Sequence, residues 1–142
     1  LDERTKGAIV DENYQTNVEG IFSAGNVLQV HDLVDFVSLE AEALADSVAW
    51  YIQRGKLPHC EIDIRPDANV VYTIPQKISG NKDSRITLRV KRPMKNCRIE
   101  ILQQDTVIKT ILLKKAIPAE MIQLPLKKDT LLSKDSIQVA VR

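Results

Sequence analysis

The amino-acid sequence predicts an α+β chain. A partial α/β segment of two or three strands and one helix occupies residues 1–60, and a small all-β sandwich, immunoglobulin-like in kind, occupies residues 61–142. Three observations carry this reading. A helical apolar period occurs once, between Val37 and Ile52. Beyond Pro66 the apolar residues switch to a period of two and hold it to the end of the chain. Charge divides at the same place: residues 1–60 hold 4 Lys or Arg against 10 Asp or Glu, a net of −6, whereas residues 61–142 hold 16 against 9, a net of +7. Opposed charges of this size indicate two units with different surfaces.

Taken in order, Leu1 to Lys6 is polar. Gly7-Ala8-Ile9-Val10-Asp11 reads as a strand ending at an acidic turn. Asp11 to Gly20 is a polar connector with Thr16 and Asn17 as turn formers. Ile21, Phe22 and Ala24 read as a short buried strand that Gly25 ends. Val37, Ala41, Leu44, Ala45, Val48, Tyr51 and Ile52 recur at three- and four-residue spacing, which makes one apolar helix face. Asp35 or Ser38 is the expected start cap, and Gly55 with Pro58 the stop.

Lys56 to Asp67 forms the boundary, broken by Pro58 and Pro66. Six or seven short strands follow, opened by Val70–Ile74. Ile86, Leu88 and Val90 share one face of the next. Cys97, Ile99 and Ile101 alternate likewise, and Val107–Leu113 is a further apolar run. Ile122, Leu124 and Leu126 repeat the rule, with Pro125 marking an edge strand, and Ile137, Val139 and Val141 close the set. Clusters such as Ser79-Gly80-Asn81 and Gln103-Gln104-Asp105 supply the turns. Short strands at this spacing fit a sandwich.

Composition narrows the function classes. Hydrophobic content of 44% and charged content of 27% are ordinary globular values. No apolar run approaches the ~20 residues that a membrane helix needs. The opening LDERTKG is charged and lacks the apolar core of a signal peptide, so none is expected; with no initiator Met, the sequence reads as part of a longer protein. Two cysteines, Cys60 and Cys97, are too few for a disulfide framework and fit a reducing, cytoplasmic setting. His59-Cys60 has no companions at ligand spacing, so no metal site is expected. The basic run Arg85, Arg89, Lys91, Arg92, Lys95 and Arg98 lacks the aromatic platforms of single-strand binders, Tyr72 being the sole aromatic of this half. Nucleic acid is therefore not the expected partner. A docking surface for the acidic first half is the more economical account.

The run Thr16-Asn17-Val18-Glu19-Gly20-Ile21-Phe22-Ser23-Ala24-Gly25-Asn26, with the helix after it, resembles the carboxy-terminal flavin-binding segment of the pyridine nucleotide-disulfide oxidoreductase superfamily. That segment reads Thr, a short turn ending in Gly, an apolar pair, Ala-Gly-Asp and then a helix. This chain departs from it at Asn26, where the family has Asp. The resemblance covers about residues 5–57. Within the superfamily, the apolar loop Val27–Phe36 most resembles FAD-dependent oxidoreductases encoded with anaerobic glycerol-3-phosphate dehydrogenase.

The resemblance implies FAD as cofactor and NAD(P)H as co-substrate of a parent enzyme. At Gly25 the backbone would come close to the ligand. Asn26 would accept a hydrogen bond from a ribityl hydroxyl, without the charge assistance of a carboxylate. The backbone of Phe36, Val37 and Ser38, at the helix amino end, would face the flavin's N1–C2=O edge. Tuning the ring would be the protein's part, with the redox chemistry left to the flavin. His31 is a weak catalytic candidate as a proton shuttle near neutral pH; a structural loop residue is its plainer reading.

The five glycines, at 7, 20, 25, 55 and 80, do not spell the G-x-G-x-x-G fingerprint that binds the FAD pyrophosphate. The expected partners are therefore the rest of a parent chain and a partner subunit packed on the apolar loop, and this segment alone is expected to be inactive. The rival reading is a non-enzymatic β-sandwich binding or protein-interaction module.

Overall fold

Alternating apolar residues become strands where their period is two. A computed structural model describes residues 1–142. Its strands are β1 (Ile62–Pro66), β2 (Val70–Ile74), β3 (Lys77–Ile78), β4 (Ser84–Val90), β5 (Met94–Gln103), β6 (Thr106–Ala116), β7 (Ile122–Leu126) and β8 (Ile137–Val141). One sheet runs β3-β1-β8-β5-β6 and the other β2-β4-β7. All pairings are antiparallel except β1 with β8. Pro125 lies in β7, at the sheet edge, where its missing N–H costs no ladder bond.

The two sheets share one core. Ile86, Leu88 and Val90 of β4 meet Ile99 and Ile101 of β5 and Val139 and Val141 of β8, all at 0–1% exposure. Each such side chain contributes on the order of 1.5–3 kcal/mol when buried. The set opens one strand earlier than the sequence indicates and contains eight strands. Two strands make the difference: the short β3, and β1, which falls inside the proline-marked boundary; Ile62 and Ile64 point inward while Pro66 ends the strand.

The first segment differs more. The strands expected over 7–11 and 21–24 do not form. Only isolated bridges occur there: Val10 with Thr16, Gln15 with Phe22, and Asp11 with Lys77 of β3. Ile21 is 54% exposed, because no neighbouring strand covers it. Short apolar runs need such a neighbour to become strands. Helix α1 spans Val34–Arg54 and stops at Gly55, as its sequence indicates. It starts earlier than expected. Leu33 occupies the cap position with no side-chain cap, so neither Asp35 nor Ser38 caps the helix.

This segment lies on the outer face of the β2-β4-β7 sheet. Val10 and Leu28 pack against Tyr72 and Ile74 of β2. That sheet is therefore covered on both sides, and Thr87 of β4, pointing away from the sandwich core, is still buried. Gly7 permits the close approach: a Cβ there would stand 2.5 Å from the Leu28 carbonyl oxygen and 2.7 Å from that of Val27.

Candidate functional site

The turn that the sequence singles out lies between the Phe22 bridge and α1. Gly25–Val27 forms a single 3-10 turn, with Gly25 at φ +79°, a region that suits glycine. The turn and the helix start adjoin, since a Cβ on Gly25 would stand 3.8 Å from Val37. Asn26 is exposed, and its Oδ1 accepts the His31 backbone N–H at 3.2 Å. Phe36 and Val37 are half-buried and Ser38 is exposed, all in the first turns of α1. Gly25, Asn26 and Val37 thus come together, while Phe36 turns toward the sheet and joins a different surface.

Behind the turn sits a buried polar network that sequence reasoning missed. Glu40, 6% exposed, is the one buried residue of α1. Its Oε1 accepts the Gly25 N–H at 2.7 Å, and its Oε2 accepts from Gln29 Nε2 at 3.3 Å. Gln29 also bonds Thr87 at 3.2 Å. The His31 side chain is 2% exposed, with Nε2 at 3.2 Å from Glu40 Oε2. That approach lacks hydrogen-bond alignment, and both ring nitrogens remain unpartnered. His31 is therefore buried against Glu40 and does not stand free beside an open flavin face. In the sequence Glu40 looks like an ordinary outward helix charge, and only the fold turns it inward.

Arg89 is the second residue that was missed. It holds the loop before α1 against the sandwich. Its guanidinium bonds the Val30 carbonyl at 2.7 Å, Ala119 at 2.9 Å and Pro118 at 3.1 Å, and its Nε bonds the Tyr72 hydroxyl at 2.9 Å. It also pairs with Asp32, whose other oxygen accepts the Met121 N–H. Desolvation raises the Asp32 pKa, but the Met121 N–H and the Arg89 guanidinium outweigh it and hold the carboxyl below its usual value. Arg89 itself is pushed up by Asp32 and Tyr72, against desolvation. Of the basic run Arg85 to Arg98, Arg89 alone pairs with an acidic residue of the first half; Lys82, outside that run, has its Nζ 3.8 Å from Glu12.

Between the first segment and the sheet lies a cavity of about 450 Å³. Tyr14, His31, Phe36 and Glu40 form one wall, and Ser84 and Arg85 belong to the opposite one. Burial, then the nearby Glu40 charge, pushes the Tyr14 phenol up to about 12, so it stays a neutral hydroxyl. Asp11, at the cavity mouth, is raised by desolvation despite hydrogen bonds from the Asn13 and Gln15 N–H groups.

Cys60 and Cys97 are both buried free thiols. Burial, then the charges of Asp11 and Glu12, pushes the Cys60 thiol up, which suppresses its reactivity. No three His, Cys, Asp or Glu residues converge to hold a metal ion. No helix is long and apolar enough to cross a membrane. Comparisons with family models, with curated proteins and with solved structures find no match for the chain.

Proposed function

We propose that residues 7–57 supply the ribityl- and flavin-contacting turn and helix of an FAD-dependent NAD(P)H oxidoreductase. A longer polypeptide would provide the pyrophosphate-binding glycine turn and the nicotinamide site. The observation that carries the reading is the joined surface of exposed Asn26, Gly25 and the open amino end of α1. A helix start presents unpaired N–H groups and positive potential, which suit the negative edge of a reduced flavin. The two-sheet β-domain serves on this reading as a docking and assembly module. It also fixes the flavin loop through Arg89.

A second reading, a non-enzymatic interaction module, has one specific observation in its favour. The Gly25 N–H is donated inward to Glu40, and Asn26 Oδ1 already serves the His31 N–H. Ribityl binding has to share or displace that Asn26 bond. The full-length polypeptide decides between the two. It is expected to purify yellow, and Asn26→Ala is expected to weaken FAD binding by about fivefold, the worth of one hydrogen bond. Folded, colourless protein that takes up no added FAD supports the interaction module instead.

A further inference from the structure

We propose that the cavity between α1 and the β2-β4-β7 sheet is a binding site for a small protonated primary amine, a class of ligand that the flavin reading does not involve. The volume, about 450 Å³, lies within the range of small-molecule sites. Its lining carries four carboxylates, Asp11, Glu12, Glu40 and Asp83, against two cations, Lys82 and Arg85. Both cations are already engaged. Lys82 bonds Asn13 Oδ1 at 2.7 Å and stands 3.8 Å from Glu12 Oε2, outside hydrogen-bond reach, and Arg85 reaches Gln123 at 3.4 Å. The site is thus net acidic.

A second, independent observation points to a hydrogen-bond donor. Six buried side-chain polar atoms of the protein have no hydrogen-bond partner, and four belong to residues of this one cavity: Glu12 Oε2, Ser84 Oγ and both His31 nitrogens. The side chains of His31 and Glu12 are 2% and 3% exposed. Native proteins leave few such atoms unsatisfied. A carboxylate oxygen accepts, a hydroxyl can accept, and an imidazole has at most one accepting nitrogen, so up to three of these four atoms can take a donor. An ammonium group brings three donors and no acceptor. The Tyr14 and Phe36 rings, with the apolar Leu39 and Ile74 beside them, suit the charge and the alkyl body of such a ligand.

The test is an NMR titration of the chain with n-butylammonium chloride, with sodium acetate and inorganic phosphate as probes of opposite charge. The expected result is a saturable shift of the Tyr14, His31 and Phe36 resonances, with Kd about millimolar or tighter and little response to either anion. The Tyr14→Leu/Phe36→Leu variant, which keeps the apolar wall and removes the rings, is expected to bind about tenfold more weakly. If that variant does not fold, Ser84→Ala takes its place, and a weakening of about threefold or more is expected from the lost acceptor. Absence of saturable shifts overturns the proposal, as does tighter binding of acetate or phosphate, or unchanged affinity in the folded variant. None of these outcomes depends on flavin binding.

Discussion

Arg89→Ala should separate the first segment from the sandwich. Arg89 is 13% exposed at its side chain and holds three backbone carbonyls, the Tyr72 hydroxyl and the Asp32 carboxylate. Removing it leaves Tyr72 Oη without its donor and Asp32 with the Met121 N–H alone. Breaking a well-buried ion pair costs roughly 3–5 kcal/mol. Asp32 is 23% exposed at its side chain, so solvent takes up part of that loss and about 2–4 kcal/mol is the working figure.

The sole tryptophan, Trp50, lies on α1 with the Arg54 guanidinium 3.8 Å over its ring, so its fluorescence reports the helix. Far-UV circular dichroism near the strand minimum reports the sandwich. In urea the wild type should show one transition by both probes. The variant should lose the Trp50 signal about 1–2 M earlier, while the strand signal moves less. Arg89→Lys, which keeps charge without the planar fork, should fall between the two. Coincident transitions in the variant, shifted by less than about 0.5 kcal/mol, would falsify the claim that Arg89 fastens the loop.

Further outcomes follow from the same contacts. Gly7→Ala should destabilise by about 1–3 kcal/mol in thermal melts, because its Cβ runs into the carbonyls of Val27 and Leu28. Asp11→Asn should raise stability near neutral pH in urea melts. The folded-state pKa of Asp11 is raised, so its ionised form is disfavoured in the native state and stability falls as pH rises through that window. Asp32 has the opposite sign: its contribution is full above the ordinary carboxylate range and is lost as pH falls through its lowered native value. Stability measured against pH should therefore show a shallower acid limb in Arg89→Ala than in wild type.

The sandwich was largely legible in the sequence because alternation maps directly onto a sheet with one buried face. Val70–Ile74 and Ile137–Val141 coincide with β2 and β8. β1 was obscured because Pro66, a breaker in isolation, sits harmlessly at the strand end. The first segment was less legible because its order depends on tertiary cover. Val10 and Leu28 are buried by Tyr72 and Ile74, residues more than forty positions away, and no local period announces that contact. The turn at Gly25 and the helix stop at Gly55 could be read from local backbone chemistry. Glu40 and Arg89 could not, since a buried carboxylate and a half-buried guanidinium look in sequence like any solvated charge. Both matter only because the segment folds onto the sheet.

Hydrogen exchange of the full-length polypeptide, with and without FAD, puts the flavin reading to its most direct trial. Added FAD is expected to slow exchange of the amides from Gly25 to Ser38 and to leave the β5–β6 amides unchanged. Protection confined to other regions, or no protection at an FAD concentration that saturates the protein, would contradict the assignment of this turn and helix start to the cofactor.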